Sequence, residues 1–293
     1  MIQYPKNLIL IIVCCVIIPC QSFTWSENGH RIVGKIAESN LSVKSQKAIQ
    51  QILDNESLAE VSSWMDFIKS DHEWDFSNPY HYVNLEEGRG YWDSKKDAKG
   101  DIIRAIVFYE DMLRNKKSSK NDKKIALKFL VHLIGDIHQP LHVCIKNDIC
   151  SNKVGIKWFD EKTNLHRLWD ENLIDFQKLS YTEYSLFIGK IKKSVQRDWE
   201  KSSILDWLEE SRLLSEKIYE GIKDEEGKKR YYLSYRYNYD NIGLLNERLR
   251  QAGVRLAFFI NSIFDGRKNV DSDIIREKLG SAPNYGLPGG QND

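Results

Sequence analysis

Between Phe129 and His142 a nearly continuous apolar stretch, Phe129-Leu130-Val131-His132-Leu133-Ile134-Gly135-Asp136-Ile137-His138-Gln139-Pro140-Leu141-His142, carries three histidines and one aspartate. A run this apolar folds by being buried, and it takes Asp136 inside with it. A buried carboxylate requires a charged partner or a metal. On a helix, residues four apart project from one face, so His132 and Asp136 point the same way. Pro140 stops the helix, and the turn beyond it can bring His142 back toward that face. Leu165-His166-Arg167-Leu168-Trp169-Asp170 repeats the His-x-x-x-Asp spacing. Imidazole nitrogen and carboxylate oxygen are good zinc ligands at this spacing. A metal cluster is the expectation, against hydrogen-bonded His–Asp pairs in an ordinary core.

Three further pieces fit one site, each weak alone. Trp25-Ser26-Glu27-Asn28-Gly29-His30 holds one histidine, Ser63-Trp64-Met65-Asp66 puts an aspartate on an otherwise apolar segment, and Pro79-Tyr80-His81-Tyr82-Val83-Asn84 puts a histidine in a short segment of extended character. His72 lies in a polar, acidic stretch and reads as surface.

The first 24 residues do not read as fold. Lys6 gives a weak positive start, and Leu8 to Ile18 is an uninterrupted apolar run. That is the length of a signal-peptide core and too short for a comfortable membrane span. Ser22 and Thr24 are placed for cleavage before Trp25, making 1–24 a removed signal peptide and the protein secreted or periplasmic. A retained anchor, or lipid attachment at Cys20, is the alternative. Cys14, Cys15 and Cys20 fall in that segment, and Cys144 and Cys150 remain, six positions apart. In an oxidising compartment they are expected to close a short loop as a disulfide; free thiols or thiolate metal ligands are the other readings. Asn40-Leu41-Ser42 and Asn55-Glu56-Ser57 are glycosylation sequons that matter in a eukaryotic source.

Charge limits how such a chain could hold a polyanion. The formal net charge is +1, and removing Lys6 brings it to zero. A protein gripping polyphosphate with a basic surface is usually more basic, so bound metal would have to neutralise phosphate. The lysines within 115–124 read as a solvated loop.

After Trp25 the periodicity is helical almost throughout. Helices are expected over the Ile32–Ala37 region, after a cap at Ser42, over Leu58–Ile68, Asp101–Leu113, Lys123–His138, Asn164–Ile174, Ile204–Ile222 and Lys229–Phe264. Tyr80–Leu85 and Gly155–Phe159 read as short extended segments. The chain shows no repeat and no linker strong enough to divide it. The expected layout is a signal peptide over 1–24, one mainly helical domain over 25–268, and an irregular Gly/Pro-rich tail over 269–293.

Taken in order, Trp25…Gly29-His30, Trp64-Met65-Asp66, His81-Tyr82-Val83-Asn84, Gly135-Asp136-Ile137-His138-Gln139-Pro140-Leu141-His142 and Asn164-Leu165-His166…Trp169-Asp170 resemble the ordered motifs of the S1/P1 family of single-strand nucleases and 3′-nucleotidases. The resemblance covers most of 25–265, and the Gly-Asp-x-His-Gln-Pro-Leu-His stretch is its most specific part. It implies an all-α fold of the phospholipase C/P1 nuclease type with three zinc ions at the bottom of a cleft. One zinc would take Asp66, His81, His132 and Asp136, and a second His142, His166 and Asp170. The third would take the α-amine and carbonyl of Trp25 with His30, Asp136 bridging, so that signal cleavage becomes part of site assembly. His138 is left outside the ligand set, with a supporting hydrogen bond as its role.

The resemblance further implies hydrolysis of single-stranded RNA and DNA to 5′-nucleotides, and of 3′-nucleotides to nucleosides, without an organic cofactor. It implies no stable protein partner, a monomer, and no membrane span in the mature chain. Lys69 matches a basic residue near the phosphate, Tyr82 an aromatic that stacks on a base, and Asn172 a phosphate contact. Two departures stand out. Asn84 occupies a position where many members have an acid, and an amide cannot take a proton from water. The Gly-rich loop usual after the His142 motif is replaced by Val143-Cys144-Ile145-Lys146-Asn147-Asp148-Ile149-Cys150-Ser151-Asn152. The competing readings are a zinc-dependent phospholipase C, which shares the fold and the N-terminal Trp, and a zinc-binding relative without catalysis.

Overall fold

The computed structural model describes residues 25–280, apart from positions 225 and 268. The expected signal peptide over 1–24, with Cys14, Cys15 and Cys20, and the tail beyond 280 lie outside the described residues. Most helices begin at a polar cap that the sequence supplies. Ser26 opens α1 (Glu27–Glu38) and Ser42 opens α2 (Val43–Ile52), each accepting a backbone N–H from the first turn. Ser57 and Glu60 form a reciprocal capping box on α3 (Leu58–Val61), and α4 is Trp64–Phe67. Asp101 caps α5 (Ile102–Arg114), and Ser119 with Asp122 boxes α6 (Lys120–Asp136). Such caps satisfy backbone donors that a helix start otherwise leaves open. Next come α7 (Leu165–Arg167), a π turn over Leu168–Asn172 and α8 (Leu173–Asp175). Then follow α9 (Tyr181–Ile188), α10 (Lys193–Glu200), α11 (Ile204–Gly221), α12 (Tyr235–Phe264) and α13 (Val270–Leu279).

α6 is the centre of the packing. From Phe129 to Asp136 every residue on it is buried, as the apolar run demanded. It lies against α5 and α12, while α12 lies along α1. The α1–α12 crossing is close because Gly253 lets the backbones approach: a Cβ there would stand 2.6 Å from both Cβ and Cγ2 of Ile36. Two small sheets border this bundle. β1 (Val83–Asn84) pairs parallel with β2 (Val143–Cys144), Val83 opposite Val143. β3 (Gly155–Trp158) pairs antiparallel with β4 (Glu161–Asn164) and parallel with β5 (Tyr232–Leu233). The all-α expectation therefore holds for the body of the fold, with strands confined to the edges.

Several boundaries differ from expectation, each for a local reason. The helix expected over Leu58–Ile68 is broken: Ser62 Oγ donates to Ala59 O at 2.8 Å, and Ser63 O accepts from both Asp66 and Phe67. Hydroxyls that bond their own backbone compete with helix continuation, and a 3-10 turn over Ile68–Ser70 follows α4. Only Val83–Asn84 of the Tyr80–Leu85 segment is strand, because a 3-10 helix runs from His72 through His81. α6 starts at Lys120, inside the stretch read as loop, because Ser119 and Asp122 cap it there. The long final helix starts at Tyr235 and not near Lys229, since Tyr232–Leu233 joins β3. The tail expected to be irregular from 269 holds α13: Asn269 caps it, and Arg276 anchors it to Glu110 and Asp111 at 3.2 and 2.6 Å.

The glycine at the crossing makes a direct test. Gly253→Ala gains about 1 kcal/mol of helix propensity, but its methyl meets the branched, buried side chain of Ile36. Overpacking of this kind costs about 1–3 kcal/mol, so the clash wins. Thermal denaturation should show a lower melting temperature, by about 2–4 °C per kcal/mol; an unchanged or raised value would mean that the crossing is loose.

Candidate metal centre

α6 delivers two side chains from one face, His132 and Asp136, and the rest of the molecule closes around Asp136. His30 arrives from α1 with Nε2 3.2 Å from Asp136 Oδ1. His81, at the end of its 3-10 helix, places Nδ1 2.9 Å from Oδ2. His132 Nε2 lies 3.1 Å from Oδ2, and His142 Nδ1 3.4 Å from Oδ1. The turn after Pro140 thus does bring His142 back. Gly135 permits the entry of His30, whose Nδ1 would stand 2.9 Å from a Cβ at that position. His166 and Asp170 complete a neighbouring group, with Nε2 2.9 Å from Oδ2.

Three of these imidazoles are oriented by the main chain. His132 Nδ1 donates to Ser62 O at 2.7 Å, His142 Nδ1 to His81 O at 2.9 Å, and His166 Nδ1 to Cys150 O at 2.6 Å. A carbonyl only accepts, so each Nδ1 carries the proton and each Nε2 presents a lone pair. This is the usual way a protein fixes the tautomer of a metal-binding histidine. The break between α3 and α4 serves the same end, because it leaves Ser62 O available to His132.

The electrostatics describe a site short of cations. Burial pushes the Asp136 carboxyl up, but the neighbouring imidazoles of His132 and His142 outweigh it and hold it well below the usual carboxylate range. Burial also opposes charge on His132 and His142, yet Asp136 raises both. His30 is lowered by burial and by the charge of His132, and His81 is pushed down to about 3 by burial and Lys69. The cluster therefore sets His30 and His81, pushed toward the neutral imidazole, beside His132 and His142, which the carboxylates pull toward the charged form. His30 Nδ1, His81 Nε2, His142 Nε2 and Asp136 Oδ1 are buried without a hydrogen bond, a costly arrangement unless something else binds there.

Ligand atoms of His81, His132 and Asp136 lie within 4.8 Å of one another, as do those of His142, His166 and Asp170, and those of His30, Asp66 and His132. The donor chemistry, nitrogen and carboxylate oxygen, suits a divalent metal of the zinc type. Asp66 falls with His30 and His132, not with His81; its Oδ1 is 3.8 Å from His132 Nε2. Burial raises the Asp66 carboxyl, and the charges of His132 and Lys69 more than reverse this. Lys69 lies on the same side, its Nζ 2.8 Å from Asp66 Oδ1. Trp25 is buried beside both groups: its Nε1 donates to Gly135 O at 3.0 Å, and Ser26 N donates to Asp170 O at 2.9 Å.

The remaining expected residues spread over the surroundings. Half-buried Tyr82 and exposed Asn84 line a cleft of about 690 Å³ together with Cys144, Lys146 and Cys150. Asn172 lies in the π turn, where its Oδ1 accepts from Thr163 Oγ1 at 3.3 Å. Cys144 and Cys150 form the expected disulfide, their Cα atoms 4.5 Å apart. His72 is exposed. His138 is buried, donating from Nδ1 to Ile134 O at 2.7 Å and accepting at Nε2 from Arg255 at 3.0 Å. Sequence reasoning assigns Gln139 no role, yet it is buried and bonds twice: its Nε2 donates to Asp170 Oδ1, and Leu141 N donates to its Oε1 at 2.5 Å. A polar residue inside the apolar Ile137–Leu141 stretch is the signal that could have found it.

A sequence model described as S1/P1 Nuclease matches residues 25–265. This chain belongs to the S1/P1 nuclease family. Endonuclease 4 of Arabidopsis thaliana is 32% identical over 277 residues, spanning 83% of this chain and 90% of its own. Endonuclease 2 of the same plant is 29% identical over 269 residues, 82% and 90% of the two chains. Nuclease S1 of Aspergillus oryzae is 34% identical over 161 residues, 52% and 55% of the two. Within this S1/P1 nuclease, the loop closed by Cys144 and Cys150 leads into three successive non-glycine residues at positive φ: Ile149 at 56°, Cys150 at 51° and Ser151 at 65°. That conformation is costly for a β-branched residue such as Ile149. The disulfide holds the loop in it, and Cys150 O is the acceptor that orients His166.

Replacing both Cys144 and Cys150 by Ser should therefore weaken metal binding at the His142, His166 and Asp170 group. Removing such a supporting hydrogen bond typically costs about 10–100-fold in metal affinity. Competition with a graded chelator should show one class of ions leaving early; identical release curves for variant and parent would separate the loop from the site.

Proposed function

We propose that this chain is a zinc-dependent phosphoesterase that hydrolyses single-stranded RNA and DNA to 5′-nucleotides and 3′-nucleotides to nucleosides. The observation that carries the reading is the sharing of one buried carboxylate, Asp136, by four imidazoles, three of which, His30, His81 and His142, keep a buried nitrogen without a hydrogen-bond partner. Zinc ions bound there would lower the pKa of water and stabilise charge on phosphate oxygens. One would be held by Asp66, His81, His132 and Asp136, a second by His142, His166 and Asp170, and a third by the main chain of Trp25 with His30 and Asp136. The names of the relatives, endonucleases and Nuclease S1, support this chemistry. They also disfavour the phospholipase C reading and the reading as a non-catalytic relative.

The chain's own residues have separable tasks. Lys69, whose Nζ pairs with Asp66 Oδ1 at 2.8 Å, would offer its ammonium to a phosphate oxygen where a metal took up that carboxylate. Tyr82 stands at the cleft wall as a stacking face for the base next to the scissile phosphate. Bases in a duplex hide their faces, so stacking favours single strands. Asn84 orients water by hydrogen bonding and takes no proton. Asn172, whose amide oxygen is held by Thr163, leaves its amide N–H for a phosphate contact. Gln139 holds Asp170 and the His142 turn together, keeping two ligands in register. Trp25, pinned through Gly135 and Asp170, presents its amine only once the segment before it is cut away. Export by a signal peptide and action as a secreted monomer complete the reading. Among the described residues no helix is long and apolar enough to cross a membrane.

The test uses the chain beginning at Trp25 with single-stranded RNA, single-stranded DNA, duplex DNA and 3′-AMP, with and without a zinc chelator. Release of 5′-nucleotides that favours single strands and stops with chelator is expected. Turnover of phosphatidylcholine with none of nucleic acid would overturn the reading. A chain with one extra residue before Trp25 should lose an ion in elemental analysis and most of its activity; full metal content would remove the amine from the ligand set.

A further inference from the structure

Residues 227–239, Gly-Lys-Lys-Arg-Tyr-Tyr-Leu-Ser-Tyr-Arg-Tyr-Asn-Tyr, contain four cations, five tyrosines and no acid. Four of the tyrosines face solvent: Tyr231 is 66% exposed, Tyr232 58%, Tyr235 71% and Tyr239 76%. Large aromatic side chains grouped on a surface mark a binding site more often than chance exposure does. Leu233 and Tyr237 are buried and anchor the segment, Tyr237 accepting from Trp169 Nε1 at 2.9 Å. The platform is therefore fixed one residue away from Asp170.

The sheet beside it repeats the pattern. Lys162 on β4 stands opposite Lys157 on β3, and Lys157 stands opposite Tyr232 on β5. Opposed residues share a face, and all three are exposed, while Trp158 and Leu233 face inward. Two lysines directly opposite each other are unfavourable in a free protein. An anion lying across them would relieve the repulsion. Tyr235 continues the surface, its ring edge-on to Phe159 at 4.8 Å. The acids near it are Asp160 and Glu161 at the hairpin tip, Asp224 against the Lys228 backbone, Asp148 near Lys229, Glu226 at 2.5 Å from Lys228, and Asp240 at 2.8 Å from Arg236. Exposed pairs of this kind are worth about 0–1 kcal/mol and exchange readily for phosphate.

We infer that the outer face of β4, β3 and β5, continued by Tyr235 and Tyr239, is a docking platform for the single-stranded nucleic acid whose end or loop enters the metal cleft. Lysines and arginines track the backbone and tyrosines stack on bases, the combination that binds single strands without reading sequence. The platform leads into the metal centre along the chain itself. β4 ends at Asn164, which caps the helix carrying His166, and Thr163 contacts Asn172. The inference rests on the proposed nuclease activity, and it separates long substrates from short ones: a mononucleotide fills the cleft and never reaches the platform.

The experiment compares the intact mature chain with two variants, Tyr232→Ala/Tyr235→Ala and Lys157→Ala/Lys162→Ala, on 3′-AMP and on a single-stranded oligonucleotide of roughly 16 nucleotides. The expected result is a rise of about tenfold in KM for the oligonucleotide, with kcat unchanged and with kcat/KM for 3′-AMP unchanged. The lysine variant should also reduce the slope of log affinity against log salt by about 1.4, roughly 0.7 for each phosphate that its two lysines no longer neutralise. Its melting temperature should not fall, because removing opposed like charges leaves the sheet unharmed. Unchanged oligonucleotide KM in both variants, or an equal loss on 3′-AMP, would overturn the platform. Should the parent chain cleave neither substrate, the activity reading fails. Fluorescence anisotropy of the same oligonucleotide on the intact chain then decides the platform alone: binding that the lysine variant loses supports it, and equal binding by both sinks it.

Discussion

Everything in this molecule is arranged around one buried carboxylate. Asp136 has no exposed surface, and four imidazoles from four separate segments approach within 3.4 Å of its oxygens. An isolated charge at such a depth would neutralise itself or unfold the chain. Here the carboxylate gathers α1, the 3-10 helix ending at His81, α6 itself and the turn beyond Pro140 into one place. The bundle has to bring its helices to that point, which explains the glycines at the closest approaches. Gly135 admits His30, and Gly253 admits Ile36 so that α1 can lie between α12 and the cluster.

The second constraint is that orientation comes from the backbone. Ser62, His81 and Cys150 each lend a carbonyl to an imidazole. A carbonyl cannot turn independently, so ligand geometry is set by the path of the main chain and is lost only if that path changes. This accounts for two irregularities that otherwise look like defects. The helix break at Ser62–Ser63 exposes the carbonyl needed by His132. The left-handed run Ile149–Ser151 turns Cys150 O toward His166. Strain of this sort persists only where its surroundings over-determine it, and the disulfide supplies that here. The π turn at Leu168–Asn172 belongs to the same class: a widened turn between His166 and the start of α8, of the kind that recurs at functional sites.

These irregularities also mark where reading the sequence stops working. The His132–Asp136 and His166–Asp170 spacings are side-chain facts at helical period, and they are visible in the letters. So are the Ser and Asp caps that open most helices. Which carbonyl meets which imidazole is a main-chain fact, and no residue type announces it. Gln139 could have been noticed, since an amide in an apolar run must find partners. α13 was hidden because the glycines and prolines that follow it dominate the composition of the tail, although Asn269 and Arg276 carry the cap and the anchor. Asp66 is subtler: the break between α3 and α4 sets its carboxylate with His30 and His132, a placement that helical period does not announce.

Net charge misleads in a related way. A total near zero argued that metal must do the work of neutralising phosphate, and the cation-poor interior of the cluster agrees. Yet a total says nothing about distribution, and an exposed charge is felt over about 8–10 Å at ordinary ionic strength. Within that range of the β4–β3–β5 face lie Lys157, Lys162 and the run from Lys228 to Arg236, whose end cations Lys228 and Arg236 pair with Glu226 and Asp240. With those pairs formed, the local excess of positive charge rests on the opposed Lys157 and Lys162. The two regions then divide the handling of a polyanion by dielectric. In the buried centre a few fixed charges act at short range on one phosphate, where each is worth most. On the inferred platform, weak and exchangeable surface contacts would hold the rest of the strand. A chain uniformly basic over its whole surface would hold strands everywhere and deliver them to the centre less often.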